Sequence, residues 1–360
     1  MKKNLIAIAA LALTSSAFAQ VTITGSVIMG YKTSTTSAAA GLNQTLTQAL
    51  AGGNNGNGTG SLGGFGIDTT VINFAATEDL GGGYTAAAEL GFDGMNRAGV
   101  AGNDTAIKLT TPMGRLSLRT YKPEDYLSGS FAAVGGVGMD NKVFPSRGLK
   151  ESIGFDTKIG PVFLGYAHME QASASNSVTP GVGIGLGAGG AGAASSTGQR
   201  LNSLSATYVG GSLIANVNYL SYDGRTDGIN TSYRDVVRAA ASYDFGAAKL
   251  GGGVSTLTTM SGAVLNDTAI SVSVPVSAAL TIGANYATES LSGTVAQTYP
   301  GAGPVAAGVL DQSRSGYGLS ATYALSKRTS IIANYANWLP YGVGVVQRNE
   351  ESNLLLSHSF

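Results

Sequence analysis

Charged side chains are scarce in this sequence, and their placement limits the chemistry they could do. Glu89, Lys108, Arg119, Arg238 and Lys249 each fall on the polar side of a segment in which every second residue is apolar. Groups spaced in this way can line water, set up an electric field and sort ions. No cysteine occurs, so thiolate nucleophiles, thiolate metal sites and disulfides are excluded. His168 and His358 are the only histidines; both project toward the apolar side by parity, neither sits in a helical metal-binding motif, and no metal site is expected. No Gly-x-Ser-x-Gly elbow is present. Residues 185–190 (GLGAGG) match a dinucleotide-type glycine spacing, but they lie in a Gly/Ala tract with no helix to follow, so no nucleotide cofactor is expected either. No catalytic residue is assigned.

The segments that carry these charges alternate with period two. From Gly316 to Leu325, Tyr317, Leu319, Ala321, Tyr323 and Leu325 share one face, and Gly318, Ser320 and Thr322 the other. The same split recurs over 280–289, 203–208, 215–219 and 270–274. Sixteen such strands are predicted, near 21–32, 67–77, 84–93, 104–111, 115–121, 150–157, 161–171, 200–209, 212–223, 234–244, 247–257, 267–275, 279–289, 315–325, 328–338 and 351–360. Short connections such as 112–114, 210–211 and 326–327 are expected to alternate strictly with long ones such as 33–66, 122–149, 172–199 and 291–314.

Composition narrows the class. Of 360 residues, 53 are glycine, and charged residues make up 12% where a soluble domain carries ~25%. Lys plus Arg equals Asp plus Glu at 21 each, which implies no polyanion-binding surface, so nucleic acid is not expected as a partner. No apolar run reaches the ~20 residues of a spanning helix. The start, a basic Met1–Asn4, an apolar Leu5–Leu13 and a small-x-small Ala17–Phe18–Ala19, predicts a secretory leader over residues 1–19, with residues 20–360 forming one domain.

One apolar and one polar face fit either a soluble sandwich or an outer-membrane barrel. Three features favour the barrel. The long connections fall at one end, and Tyr84, Tyr208, Tyr286, Tyr317, Tyr323 and Tyr335 fall on the apolar face as an interfacial girdle would. The apolar face is also nearly free of charge, as lipid contact demands, because a Lys or Arg at the membrane midplane costs ~2–4 kcal/mol. The expected fold is thus all-β, a 16-stranded antiparallel transmembrane β-barrel with short periplasmic turns. Sixteen strands enclose an aqueous lumen, from which transport follows.

Several local sequences carry a resemblance. The carboxyl end, Leu354-Leu355-Leu356-Ser357-His358-Ser359-Phe360, resembles the terminal signature of outer-membrane barrels. Val21-Thr22-Ile23-Thr24-Gly25 is similar to an opening strand of general porins of beta-proteobacterial type. Thr77-Glu78-Asp79-Leu80-Gly81-Gly82-Gly83 and Tyr243-Asp244-Phe245-Gly246 are similar to two of that family's periplasmic turns. The resemblance covers the whole chain after the leader. It implies a homotrimer in the bacterial outer membrane, in contact with outer-membrane lipid and lipopolysaccharide, which passes small hydrophilic solutes and ions by passive diffusion without catalysis.

The family's third external loop folds into the pore, and by position that loop is 122–149. Pro123-Glu124-Asp125-Tyr126 resembles its Pro-Glu-aromatic motif, and Asp140 lies farther along it. Arg119 matches an arginine of the wall opposite, and Lys108 and Lys32 are lumen-facing by parity. Glu124, Asp125, Tyr126, Asp140, Lys108, Arg119 and Lys32 are therefore the expected pore constriction, where an acidic loop facing a basic wall would create a transverse field. The chain departs from the family where an arginine is usual, since Thr69–Ala75 is uncharged, and Ile28 stands in place of an aspartate. A substrate-selective channel, with Tyr121, Tyr126 and Tyr222 as a solute track, is the first alternative. A surface adhesion or receptor barrel and an outer-membrane hydrolase follow.

Overall fold

The computed structural model describes residues 20–36, 60–96, 99–123, 126–129, 131–140, 142–144, 150–171, 200–223, 233–260, 262–292, 312–339 and 348–360. The predicted leader over 1–19 lies outside the described residues.

The sixteen strands are β1 (Gln20–Thr36), β2 (Gly60–Gly81), β3 (Tyr84–Asn96), β4 (Gly99–Thr111), β5 (Gly114–Tyr121), β6 (Lys150–Ile159), β7 (Val162–Gln171) and β8 (Arg200–Gly210), followed by β9 (Leu213–Tyr222), β10 (Tyr233–Asp244), β11 (Lys249–Thr259), β12 (Val264–Pro275), β13 (Leu280–Ser292), β14 (Gln312–Ala324), β15 (Thr329–Trp338) and β16 (Asn349–Ser359). Each pairs antiparallel with its sequence neighbours, and β1 pairs with β16, so the sheet closes as a barrel. Closure leaves no edge strand with unpaired backbone groups, as a lipid environment requires. At the seam the last residue completes the ladder: Phe360 N donates to Gly25 O at 3.0 Å and Gly25 N donates to Phe360 O at 3.1 Å.

Alternation sets the two faces. Ile107 and Leu118 are 62% and 52% exposed, and with Val217, Ile270, Leu319 and Leu354 they form the outer surface, whereas their neighbours Ala106, Ser117, Asn216, Ser271 and Leu355 are buried on the inside. Tyr84, Tyr208, Tyr286, Tyr317 and Tyr323 are exposed on the outer face, as the girdle expectation requires.

The short turns are stabilised by local side-chain acceptors. Asp79 Oδ1 accepts from Gly81 N and Asp244 Oδ1 from Gly246 N, each at 2.8 Å. Ser277 and Ser326 accept through Oγ from backbone amides two and three residues on.

The strict short-long alternation is corrected at two places. Strands β3 and β4 pair as far as Asn96 with Gly99, and β11 and β12 as far as Thr258 with Val264. The second becomes a tight hairpin, in which Thr259 N donates to Ala263 O at 2.9 Å and Ala263 N donates to Thr259 Oγ1 at 3.0 Å. Alternation in the sequence fades before these points, but backbone ladders need no side-chain pattern and continue wherever a neighbour is present.

Candidate functional site

The described parts of loop 122–149, which joins β5 to β6, run inside the barrel, and their path is set by the size of the residues beneath them. One hydrogen-bonded row on the inner face reads Ser242, Gly251, Ser271, Asn285, Gly318, Ala336, Glu351, Ser34 from β10 round to β1. The loop follows this row. Ser271 Oγ donates to Ala132 O and accepts from Val134 N, the latter at 2.9 Å. Asn285 clamps Val137 with both ends of its amide, Nδ2 donating to Val137 O at 2.6 Å and Oδ1 accepting from Val137 N at 3.3 Å. Gly136 N donates to Ser320 Oγ at 3.2 Å.

Glycine in the strands makes room for this contact. A Cβ on Gly283 would sit 2.6 Å from Gly136 N, and one on Gly251 would sit 2.7 Å from Ala132 O; both neighbours are loop backbone that cannot give way without leaving the wall. The loop's apolar side chains, Leu127, Ala132, Met139, Val143 and Phe144, pack on Ala240, Ala269, Ala287, Ala336 and Trp338 of the wall. Their apolar character, unusual for a solvated loop, is thus accounted for by burial.

The residues singled out in the sequence are distributed as follows. Lys108 on β4 makes an ion pair with Glu89 on β3. Arg119 on β5 shares a cross-strand row with Glu89, with Ala106 between them, and its guanidinium lies 4.4 Å from the Tyr121 ring centroid. Lys32 is not with these two. It stands on β1, three strands from Lys108, about 14 Å at ordinary strand spacing, and pairs with Glu351 at 3.0 Å. Tyr126 is anchored on the far wall, its hydroxyl donating to Asn216 Oδ1 at 2.8 Å. Asp140 follows Met139, whose carbonyl accepts from the amides of Lys142, Val143 and Phe144, and forms an isolated backbone bridge with Phe144. Glu124 and Asp125 lie outside the described residues.

Four further residues join the site. Arg238 on β10 lies 5.2 Å from the Tyr126 ring centroid, and its Nε donates weakly to Ser255 Oγ at 3.4 Å. Lys150 on β6 is the cross-strand partner of Tyr121, and Tyr222 on β9 packs edge-on against Tyr233 with ring centroids 5.2 Å apart. Lys142 in the loop and Glu351 on β16 complete the group around Lys32. The signal for Arg238, Lys150 and Glu351 was inward parity alone, which cannot rank one lumen residue above another. Burial pushes the Tyr126 hydroxyl up to about 12, with Arg238 opposing, so it stays a neutral donor.

Electrostatically the charges divide. Lys108, Lys32 and Lys142 face carboxylates, whereas among the described residues Arg119 and Arg238 have no carboxylate at ion-pair distance and rest on tyrosine rings. A guanidinium on an aromatic face keeps its full charge. Among the described residues no cluster of metal-ligating side chains occurs.

Comparison with known proteins agrees with this architecture. The sequence matches the Gram-negative porin family over residues 6–338. Among solved structures, an anion-selective porin from Comamonas acidovorans is similar with TM-score 0.64 and 20% identity, covering 95% of this chain and 100% of that one. OmpT of Vibrio cholerae with its loop L8 deleted gives TM-score 0.59 at 11% identity, covering 95% and 99%. A Rhodopseudomonas blastica porin mutant gives 0.52 at 14%, covering 95% and 100%. No curated protein sequence matches. The chain belongs to the Gram-negative porin family and is a channel-forming barrel of the bacterial outer membrane.

Proposed function

We propose that this porin passes small hydrophilic solutes and ions by passive diffusion through the space between loop 122–149 and the wall opposite, with anions favoured. The observation that carries the preference is the pair of arginines, Arg119 and Arg238, held on Tyr121 and Tyr126 without a carboxylate partner among the described residues. Fixed positive charge in a narrow lumen lowers the barrier for anions and raises it for cations. The anion selectivity named for the similar Comamonas protein supports this sign. Thr69–Ala75 leaves the β2 wall uncharged, and Arg238 supplies positive charge from the other side of the lumen.

The working unit is a homotrimer set in lipid and lipopolysaccharide, reached by export under the 1–19 leader; this follows the family resemblance. The reading includes no catalytic step and no cofactor. Tyr126, whose ring carries Arg238, favours a second reading in which one anionic solute is preferred.

Purified protein in planar bilayers under a salt gradient tests both. Large stepwise openings in groups of three, with a reversal potential of anionic sign, are expected. A cationic sign overturns the preference, and small conductance with saturable block by one solute replaces general diffusion with the selective reading.

A further inference from the structure

The tip of the constriction loop is held by two kinds of contact. Met139, Val143 and Phe144 are buried against Ala336 and Trp338, which is strong but non-directional. The second contact is electrostatic. Lys142 Nζ lies 3.7 Å from Glu351 Oε1 and 5.4 Å from the Trp338 ring centroid, while Lys32 Nζ lies 3.0 Å from Glu351 Oε2. One carboxylate therefore serves a loop lysine with one oxygen and a wall lysine with the other. Its side chain is only 11% exposed, so the contact is shielded from the lumen water that screens most ion pairs.

Position makes the contact consequential. Glu351 is the charged member of the inner row that the loop follows, and its cross-strand partner on β1 is Ser34. Strands β1 and β16 form the seam where the two ends of the chain meet. On β12 to β14 the loop is held by neutral serine, asparagine and glycine contacts, but at its tip it is held by charge to Glu351 on β16, which in turn pairs with Lys32 on β1.

We infer that Glu351 is a positioning residue for the pore: it latches the loop tip, through Lys142, to the β1–β16 seam, and so sets both the loop's resting position and the local charge of the lumen. The inference rests on the channel reading for its electrical readout, and the seating of the loop is read separately. With Glu351 present, the trio carries one net positive charge. Replacing Glu351 leaves two uncompensated lysines; replacing Lys142 leaves a neutral Lys32–Glu351 pair.

Two single substitutions should therefore share one effect and oppose each other in another. Glu351→Gln and Lys142→Ala are both expected to raise the frequency of voltage-induced closures about two- to fivefold, the range that loss of a modest ion pair allows. Glu351→Gln should shift the reversal potential toward anions and Lys142→Ala toward cations. The triple exchange Lys32→Glu, Lys142→Glu and Glu351→Lys inverts the trio, placing a lysine between two carboxylates, and should restore the closure frequency. Trp338, the single tryptophan of the sequence, lies against the latch, and its emission should move to the red in both single variants whether or not the protein conducts. A purely structural role would alter thermal stability without opposed selectivity shifts. Unchanged closure frequency and emission in Lys142→Ala, a loop substitution that touches no strand pairing, overturn the latch, as does a triple exchange no better than the single variants.

Discussion

The inner wall of this barrel has two halves built on different principles. From β9 to β15 the lumen-facing residues under the loop are Asn216, Ala240, Gly251, Ala269, Ser271, Gly283, Asn285, Ala287, Gly316, Gly318 and Ala336, nearly all small. From β1 to β6 the corresponding positions include Lys32, Glu89, Lys108, Arg119, Tyr121 and Lys150. Both halves share the same strand geometry and pairing. They differ in side-chain volume on one side and in charge on the other. The first half holds the loop and fixes where the open space begins, and the second half faces that space and, together with Arg238 on β10, decides what charge passes through it.

If this division is right, size changes on the loop-bearing half should alter conductance more than selectivity. Gly283→Leu is the sharpest case, because its side chain must enter loop backbone at Gly135 and Gly136. Overpacking of this kind costs about 1–3 kcal/mol, and the loop yields before the ladder does. A lower single-channel conductance is expected, together with red-shifted Trp338 emission, at nearly unchanged reversal potential. Conductance equal to the native value would show that the small residues do not set the loop's position.

Charge changes on the other half should do the converse. Arg119→Ala with Lys108→Ala removes two cations and leaves Glu89 without its lysine. The reversal potential is expected to move toward cations while Trp338 emission stays put. An unchanged reversal potential would remove these residues from the constriction.

The smallest effect is expected at Tyr126, which ties the start of the loop to β9 and β10. Tyr126→Phe deletes the hydrogen bond to Asn216, worth about 0.5–1.5 kcal/mol, and should raise open-channel noise slightly. The hydroxyl ionises near 12 in the folded protein against an ordinary 10, so the neutral form is favoured by folding. Its contribution is complete below pH 10 and is lost as pH rises toward about 12. Noise in the native channel should therefore stay flat up to pH 10 and approach that of Tyr126→Phe above it.

Much of the fold was legible from alternation. Strands such as β14, with Tyr317, Leu319, Ala321 and Tyr323 against Gly318, Ser320 and Thr322, carry their register in the sequence, because a one-residue slip would turn the charged face to lipid. The extensions of β3, β4, β11 and β12 toward their tight outer connections were not legible, since glycine- and threonine-rich ends pair through backbone alone. The site was legible only in part. Parity placed Lys108, Arg119, Lys32 and Arg238 in the lumen, but parity gives a face and not a neighbour. Lys32 therefore stood beside Lys108 and Arg119 in the sequence reading, whereas the barrel sets it with Glu351 and Lys142.

The glycines of the wall were the least legible feature. Gly251, Gly283, Gly316 and Gly318 look in sequence like weak strand residues, and their reason appears only when the loop is laid against them, its backbone at Gly251, Gly283 and Gly318 and its Val143 side chain at Gly316. The sequence by itself determined the barrel, its strand number and its lipid-facing and lumen-facing sides, because these depend on period-two patterning and on local turn chemistry. The tertiary structure decided which charges share a carboxylate, which arginines rest on tyrosines and where the loop lies. Those outcomes depend on contacts between residues far apart in the chain, such as Lys142 with Glu351 and Val137 with Asn285, and no local pattern encodes them.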